Sequence, residues 1–446
     1  MPELFRIITL GCKVNQYESA CLNDSLMDAG WRPAGKGEKA DATIVNTCVV
    51  TRRAAHQSRQ AIRKALRENP EGITAAIGCY PQVFPKEIEL IKGVKLIAGN
   101  VNKTKIPELL INAFNSQGII ISINGFEAGM PFESMPVRRF PGRTRAYLKI
   151  QDGCQSFCTY CIVPFTRGPY RSLPMKNVLS MLEAFAAEGY REVVLTGINL
   201  GKYGIGLKES INLKGLLQSI GKENLSVRIR LSSIEPMEID DDLIDMVGKE
   251  EWICRHFHIP LQSGDESILK KMNRIYKARD FAKIIETIYA RIPEAAIGID
   301  IMAGFPGEGE TQHKNTLSLV GDLPVSYLHV FPFSPRPGTA AFRLENQVEP
   351  GLAKKRASEL RELGQAKRSA FYRRNLGKEF QVLAEGWHSE ENYFYKGISD
   401  NYLPVIFSSS RDIKGLIVPV SMDRIEDNMI FGSEQKVADT QYLKDL

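Results

Sequence analysis

Short apolar runs alternate with helix-forming stretches from the start of the chain to about residue 340, and this alternation leaves few architectures open. FRIITL (5–10), ATIVNT (42–47), ITAAIG (73–78) and VKLIAG (94–99) are apolar almost throughout, as strands covered on both faces must be. Between them, Glu18–Ala29 and Arg52–Arg67 carry apolar residues at helical spacing. Such a βα series buries its apolar surface by laying helices on a mostly parallel sheet. Residues 1–120 are therefore expected to form a doubly wound α/β domain.

Residues 121–144, punctuated by Gly125, Gly129, Pro131, Pro136 and Pro141, read as a linker. A second βα series follows, with strands expected near 146–150, 192–196, 227–232, 256–261, 297–303 and 328–333. Six strands over roughly two hundred residues fit a full or partial βα barrel. A basic helix is expected over 352–375, and after Gly377 the pattern changes to five short strands, the mark of a small all-β barrel ending the chain. The expected division is 1–120, a linker at 121–144, 145–375 and 376–446.

No apolar run approaches the ~20 residues that cross a bilayer, and MPELFRIITLGCKVNQ has no basic segment leading into a long apolar one. No membrane association is expected, and the cytoplasm is the expected compartment. Net charge is +6, from 58 Lys and Arg against 52 Asp and Glu. Residues 351–380 hold nine basic and three acidic side chains, a surplus equal to that of the whole chain and suited to a polyanionic partner.

Eight cysteines are too sparse for a disulfide scaffold, so metal ligation, reactivity or packing must explain them. Cys12, Cys48 and Cys79 each follow an expected strand, at the carboxyl edge where open α/β sheets gather ligands. They are candidates for a converging trio; the alternative is that they are small buried hydrophobes. Cys154, Cys158 and Cys161 form C-x3-C-x2-C after the first strand of the second series. Three thiolates on one loop can hold three corners of a 4Fe–4S cluster and leave one iron free. Structural zinc is the competitor, but it prefers four protein ligands in paired spacing. Cys21 and Cys254 match no ligand position and read as packing residues.

The loop Cys154-Gln-Ser-Phe-Cys158-Thr-Tyr160-Cys161 resembles the signature of radical S-adenosylmethionine (SAM) enzymes. The three-part order of the chain resembles one branch, the methylthiotransferases, with an N-terminal cluster domain, a radical SAM partial (β/α)6 barrel and a C-terminal RNA-binding TRAM barrel. Cys161-Ile-Val-Pro, Arg167-Gly168, Arg171-Ser172, His258-Ile-Pro-Leu-Gln-Ser-Gly264, Met272-Asn-Arg274 and Gly304-Phe-Pro-Gly-Glu308 also resemble family motifs. Gly11-Cys12-Lys13-Val14-Asn15-Gln16-Tyr17-Glu18-Ser19 is similar to the subfamily acting on N6-threonylcarbamoyladenosine in tRNA.

The resemblance implies two 4Fe–4S clusters, an auxiliary one on Cys12, Cys48 and Cys79 and a SAM-binding one on Cys154, Cys158 and Cys161. It implies methylthiolation of adenosine carbon 2, next to the anticodon, at the expense of two SAM. One SAM is cleaved to a radical that removes the ring hydrogen; the other methylates a sulfur carried by the auxiliary cluster. An external low-potential donor of flavodoxin or ferredoxin type is implied as a partner, with the tRNA anticodon stem-loop as substrate.

Tyr160 stands where the family packs a residue near adenine. Gly197 and Asn199, Ser232, Ser233 and Glu235, Gln262 and Ser263, and Asp300 with Gly304 follow or border successive barrel strands and are the SAM-binding candidates. The Ser and Gly residues can equally be turn or cap residues, and Glu235 and Asp300 can pair with neighbouring arginines. One of His256 and His258 can approach the site or be a satisfied structural histidine. Lys354, Lys355, Arg356, Lys367, Arg368, Arg373, Arg374 and Lys378 are candidates to neutralise RNA phosphates. Trp387, Tyr393, Phe394, Tyr395 and Tyr402 can stack on unpaired bases or form a core. Arg52, Arg53, Arg59, Arg63, Lys64 and Arg67 form a second basic helix, facing RNA or only solvent. Competing functions are the same chemistry on isopentenyladenosine tRNA or on a ribosomal-protein side chain, and a non-catalytic iron–sulfur, RNA-binding redox sensor.

Overall fold

The computed structural model describes residues 3–389 and 394–435. Leu4–Thr9, Arg32–Pro33, Ala42–Thr47, Ile73–Gly78, Val94–Ala98 and Ile120–Ser122 form one six-stranded sheet in the spatial order second, first, third, fourth, fifth, sixth. Every pairing in it is parallel. Its two faces are covered by different cores. Leu22, Leu26, Ile106 and Leu110, from helices Lys13–Asp28 and Ile106–Asn115, pack on one face; Ala55, Ile62, Tyr80 and Ile88 pack on the other. The sheet is doubly wound, and its strand order reverses between Leu4–Thr9 and Ala42–Thr47. Cys12 and Cys48 follow those two strands, at the crevice such a reversal opens. Cys12 lies three residues past its strand, after Gly11 (φ +95°) has turned the chain.

Arg145–Lys149, Glu192–Thr196, Arg228–Leu231, His256–Gln262, Ala296–Ala303 and Tyr327–Pro332 form a parallel arc in two three-stranded sheets, joined by a bridge between Ile229 and Ile253. Helices Met175–Ala187, Leu213–Lys222, Asp241–Lys249 and Ala278–Arg291 lie outside it and bury Leu182, Leu217, Ile244 and Ile285 in the largest core. Residues 123–144 have no helix or strand but are not loose. Met135, Val137 and Phe140 enter that core, where Phe140 packs against Tyr147, Phe185 and Tyr190.

Helix Pro350–Arg374 leads to a closed barrel of Glu379–Ser389, Phe394–Ser399, Pro404–Ser408, Ile417–Glu426 and Met429–Glu434. Its core holds Val382, Tyr395, Phe407, Val420 and Met422. The arc and the closed barrel meet through charge. Buried Glu192 accepts hydrogen bonds from Arg228 and Arg230, and the same guanidiniums donate to the carbonyls of Gln381, Ile398, Ser399 and Asp400. The ring of Tyr402 lies 4.2 Å from that of His256.

Candidate active site

A glycine must stand at position 11, since any Cβ there would lie 2.8 Å from Cys48 Cβ and 3.0 Å from its Sγ. The loops carrying Cys12 and Cys48 are therefore in contact. Asn15 fastens them together: its Nδ2 donates to the carbonyls of Leu10 (2.7 Å) and Thr47 (3.0 Å). Thr47 fastens the third loop by donating from Oγ1 to Ile77 O (2.7 Å) and accepting from Tyr80 N–H (3.2 Å). Cys12, Cys48 and Cys79 thus stand side by side at the sheet's carboxyl edge, each within electrostatic range of the others.

The second trio is fixed from two sides. Cys154 N–H donates to Gly168 O (2.9 Å), and Asn273 Nδ2 donates to the carbonyls of Ser156 (3.2 Å) and Phe157 (3.3 Å). Arg274 Nη1 donates to Cys158 Sγ (3.3 Å) while Nη2 pairs with Glu235. The segment Met272-Asn-Arg274 cradles the cysteine loop, a role that its sequence alone did not disclose.

The two trios meet. Helix Cys79–Val83 packs on helix Val163–Arg167, which begins two residues after Cys161. Ile162 shares an apolar cluster with Cys79 and Tyr80. Asn100 Nδ2 bridges the seam, donating to Thr166 O (2.7 Å) and Cys79 Sγ (3.4 Å). The seam's centre is ionic. Glu18, fully buried, pairs with Lys103, Lys149 and Arg167; Lys149 also reaches Asp152 (3.0 Å), and Arg167 Nη2 donates to Asn15 Oδ1 (2.6 Å). Despite burial, these three cations hold the Glu18 carboxyl well below its ordinary range.

The donor sets suit clusters. Burial pushes the Cys48 and Cys161 thiols up to about 12 and raises Cys158, while Cys12 stands exposed, so thiolates at the covered positions need a cation to pair with. Arg167 beside Cys12 and Cys48, and Arg274 beside Cys158, act in that direction. Among the described residues, the one His, Cys, Asp or Glu trio with ligand atoms all within 4.8 Å is His258, Asp300 and His329.

The nominated SAM contacts lie around the arc. Tyr160 packs edge-on against Phe305, and Gly197 follows Glu192–Thr196. Asn199 Oδ1 and Ser232 Oγ are buried without a hydrogen-bond partner among the described residues, leaving both able to receive a ligand. Ser233 is half-buried beside Ser232, and Gln262 (φ +65°) ends its strand at a bulge. Ser263 Oγ instead accepts from Asp265 N–H and faces Thr316. Gly304 is required by packing, as a Cβ would lie 2.4 Å from Ala353 Cβ. Glu235 does pair with an arginine, Arg274; burial raises its carboxyl, with Arg274 opposing. Asp300 pairs with His258 Nε2 (3.0 Å) and His329 Nδ1 (3.4 Å), not with an arginine. His256 bonds Tyr327 Oη (2.7 Å), as a structural histidine does. Cys21 and Cys254 are packing residues, both buried.

Several expected RNA contacts are spent inside the fold. Arg356 is buried against Glu308, Lys367 caps the carbonyls of Gly321 and Leu323, Lys378 pairs with Glu294, and Arg374 lies over Tyr289 and Phe371. Tyr395 is core and Tyr402 covers His256 and Arg230; Trp387 packs 4.2 Å from Tyr395, and Tyr393 lies outside the described residues. Lys354, Lys355, Arg368 and Arg373 remain exposed, and Phe394 is half-buried. On the other basic helix, Arg52, Arg53, Arg63, Lys64 and Arg67 are exposed, while Arg59 is held by Tyr80 and Glu87.

Comparison with known proteins gives the family. Residues 4–99 match the family described as "Uncharacterized protein family UPF0004", and residues 148–320 match the radical SAM superfamily. The threonylcarbamoyladenosine tRNA methylthiotransferase MtaB of Bacillus subtilis is 36% identical, covering 93% of this chain and 92% of that protein. The protein of the same name from Aquifex aeolicus is 34% identical over 92% of this chain and 98% of its own. The tRNA-2-methylthio-N(6)-dimethylallyladenosine synthase of Pelotomaculum thermopropionicum is 33% identical, with 94% of each chain covered. A radical SAM methyltransferase from Kitasatospora setae, solved with cobalamin and a [4Fe-4S] cluster, shares the fold with TM-score 0.57 at 14% identity, covering 76% of this chain and 77% of its own. The paired cysteine trios, the arc of parallel strands and these near-full-length likenesses lead to one assignment: the chain belongs to the radical SAM methylthiotransferase family.

Proposed function

We propose that this protein methylthiolates carbon 2 of N6-threonylcarbamoyladenosine next to the anticodon of tRNA, in the cytoplasm, consuming two SAM. The observation that carries this reading is the seam that sets two cysteine trios against one another, bridged by Asn100 and Arg167. Cys12, Cys48 and Cys79 would hold an auxiliary 4Fe–4S cluster, and Cys154, Cys158 and Cys161 the cluster that binds SAM. When bound, these groups supply the one-electron chemistry and the sulfur that acid–base residues cannot provide at an unactivated ring carbon.

The chain's own task is placement. Asn15, Thr47 and Asn273 fix the loops, and Arg274 and Arg167 supply positive charge beside the sulfurs. Tyr160, Asn199, Ser232 and Glu235 line the place proposed for SAM. Buried Glu18 locks the two sheets at a fixed separation, so both trios can act on one nucleoside. Residues 1–120, 145–375 and 376–446 are read as the auxiliary-cluster, radical SAM and TRAM domains, with 121–144 connecting the first two. A low-potential electron donor of flavodoxin or ferredoxin type completes the system.

The test is anaerobic reconstitution of the full chain and of two variants, each with one trio replaced by alanine. Each variant should lose about four irons. The intact protein should methylthiolate threonylcarbamoylated anticodon stem-loop RNA, releasing 5′-deoxyadenosine. Equal modification of RNA without the threonylcarbamoyl group would overturn the substrate assignment; intact SAM after reduction would favour the redox-sensor reading.

A further inference from the structure

Phe331 is an exposed aromatic ring on the inner face of the parallel arc. The arc has two edges, Arg145–Lys149 and Tyr327–Pro332. Helix Lys13–Asp28 closes on the first, with Glu18 paired to Lys149. Among the described residues no strand pairs beyond the second. Along that second edge the side chains alternate between two faces. Leu328 turns outward, where a Cβ on Gly364 of helix Pro350–Arg374 would lie 3.2 Å from Leu328 Cβ. Tyr327 turns inward to His256 (2.7 Å), and His329 to Asp300 on the neighbouring strand (3.4 Å). Phe331 continues the inner row; it is 47% exposed, and no other ring packs against it among the described residues.

The chain that follows Phe331 touches the loops of both cysteine trios. Phe333 packs on Phe305 (5.5 Å between ring centroids), and Phe305 packs on Tyr160, the neighbour of Cys161. Ser334 Oγ accepts from the backbone N–H of Arg52 (2.9 Å), on the loop that carries Cys48. Ala341 N–H donates to Thr159 O (2.7 Å), between Cys158 and Cys161. Three residues span at most about 11 Å, so Phe331 stands within that distance of Ser334, at the carboxyl end of its strand. A lone apolar side chain on an outer surface is ordinary and signifies nothing. This ring opens instead into the arc, beside the seam.

We propose that Phe331 is the platform on which the target adenine stacks once it leaves the anticodon loop. This rests on the proposed function above and adds what holds the base. Chemistry on a base needs it out of its own stack, and an aromatic side chain replaces the neighbour it gives up. Stacking covers the faces of the adenine and leaves its edge, carbon 2 included, open to reaction. Every base has such a face, so Phe331 holds the ring and takes no part in choosing its substituent.

The experiment compares cluster-loaded wild type, F331A, F331L and F331Y on three anticodon stem-loop RNAs that differ only at the target position. One bears threonylcarbamoyladenosine, one isopentenyladenosine and one an abasic residue. Affinity by fluorescence anisotropy and single-turnover methylthiolation are both read, with iron per chain as a control. Wild type should bind the threonylcarbamoyladenosine RNA more tightly than the abasic RNA by about five- to a hundred-fold, the range for one stacked base. F331A and F331L should lose most of that preference by binding the base-bearing RNA more weakly, and F331Y should keep it. The abasic RNA should bind all four proteins alike, which isolates the contact between ring and base. A wild type indifferent to the missing base, or an F331A loss equally large on the abasic RNA, overturns the role of Phe331 alone. A wild type that modifies the isopentenyl RNA and ignores the threonylcarbamoyl RNA overturns the substrate assignment but not the platform, since both adenines present the same face. Should F331A bind less iron, F331L set against F331Y decides: a loss confined to F331L supports the platform, and any other pattern overturns it.

Discussion

Arg274 does two jobs with one guanidinium. Through Nη1 it holds Cys158 Sγ, and through Nη2 it pairs with Glu235, opposing the upward push that burial gives that carboxyl. Removing it leaves a covered carboxylate and a covered sulfur without their donor. R274M should therefore lower single-turnover 5′-deoxyadenosine formation by at least about ten- to a hundred-fold, since each lost charged contact is worth ~1.5–3 kcal/mol. Iron per chain measured beside it separates failed cluster assembly from failed chemistry. R274K should recover little, because an ammonium cannot reach both partners in the fixed fork a guanidinium provides. The cysteine trios could be read from the sequence because sulfur chemistry limits what such spacing can mean. The partners of the sulfurs could not: Arg274 lies 116 residues from Cys158, and only folding brings them together. The same blindness left Arg356 and Tyr402 open as candidates for RNA contact, and the structure makes both of them internal contacts.

At the scale of elements, helix Lys13–Asp28 is the one whose pattern misleads. Periodicity predicts a start at Glu18, because Lys13–Tyr17 is largely polar; the observed helix starts five residues earlier, and Asn15, Glu18, Ser19 and Asp24 are all buried. A helix wedged between two sheets keeps little solvent face, and most of its polar side chains bind across the seam rather than forming a wet surface. By contrast, Ala42–Thr47 and Ile73–Gly78 match their expected limits, since strands covered on both faces announce themselves by unbroken apolar sequence. The seam yields a test of its own. E18Q keeps the shape of the side chain but leaves Lys103, Lys149 and Arg167 with too little negative charge. Breaking such a buried set from one side costs about 3–5 kcal/mol, so E18Q should unfold at markedly lower urea concentration. Limited proteolysis should at the same time cut first within 121–144, which joins the two sheets.

For the whole molecule, function and stability draw on different charges. Among the described residues, the exposed cations Arg52, Arg53, Arg63, Lys354, Lys355, Arg368 and Arg373 make no ion pair. Replacing Arg52, Arg53 and Arg63 by glutamine should leave the melting temperature within about 2 °C and weaken stem-loop binding. The slope of log Kd against log salt should fall by up to about 0.9 per phosphate contact removed. The charges between the arc and the closed barrel behave in the opposite way, and pH exposes them. His256 is buried and kept neutral, its imidazole held well below the ordinary 6.5 by burial and by neighbouring Arg230. Glu192 is held below its ordinary 4.5 because Arg230 and Arg228 outweigh its burial. As pH falls below 6.5 the unfolded chain takes up a proton at position 256 that the folded chain refuses, so stability drops by up to about 1.4 kcal/mol per pH unit. Glu192 adds a second loss of the same sign once pH passes below 4.5, and neither group contributes a slope above pH 7.5. Thermal melts from pH 8 to pH 4 should show a plateau and then a two-stage decline. H256Q should flatten the upper stage and spare the lower one. A decline beginning above pH 7.5, or an upper stage unchanged in H256Q, would place the acid-sensitive joint somewhere other than the contact of His256 with Tyr402.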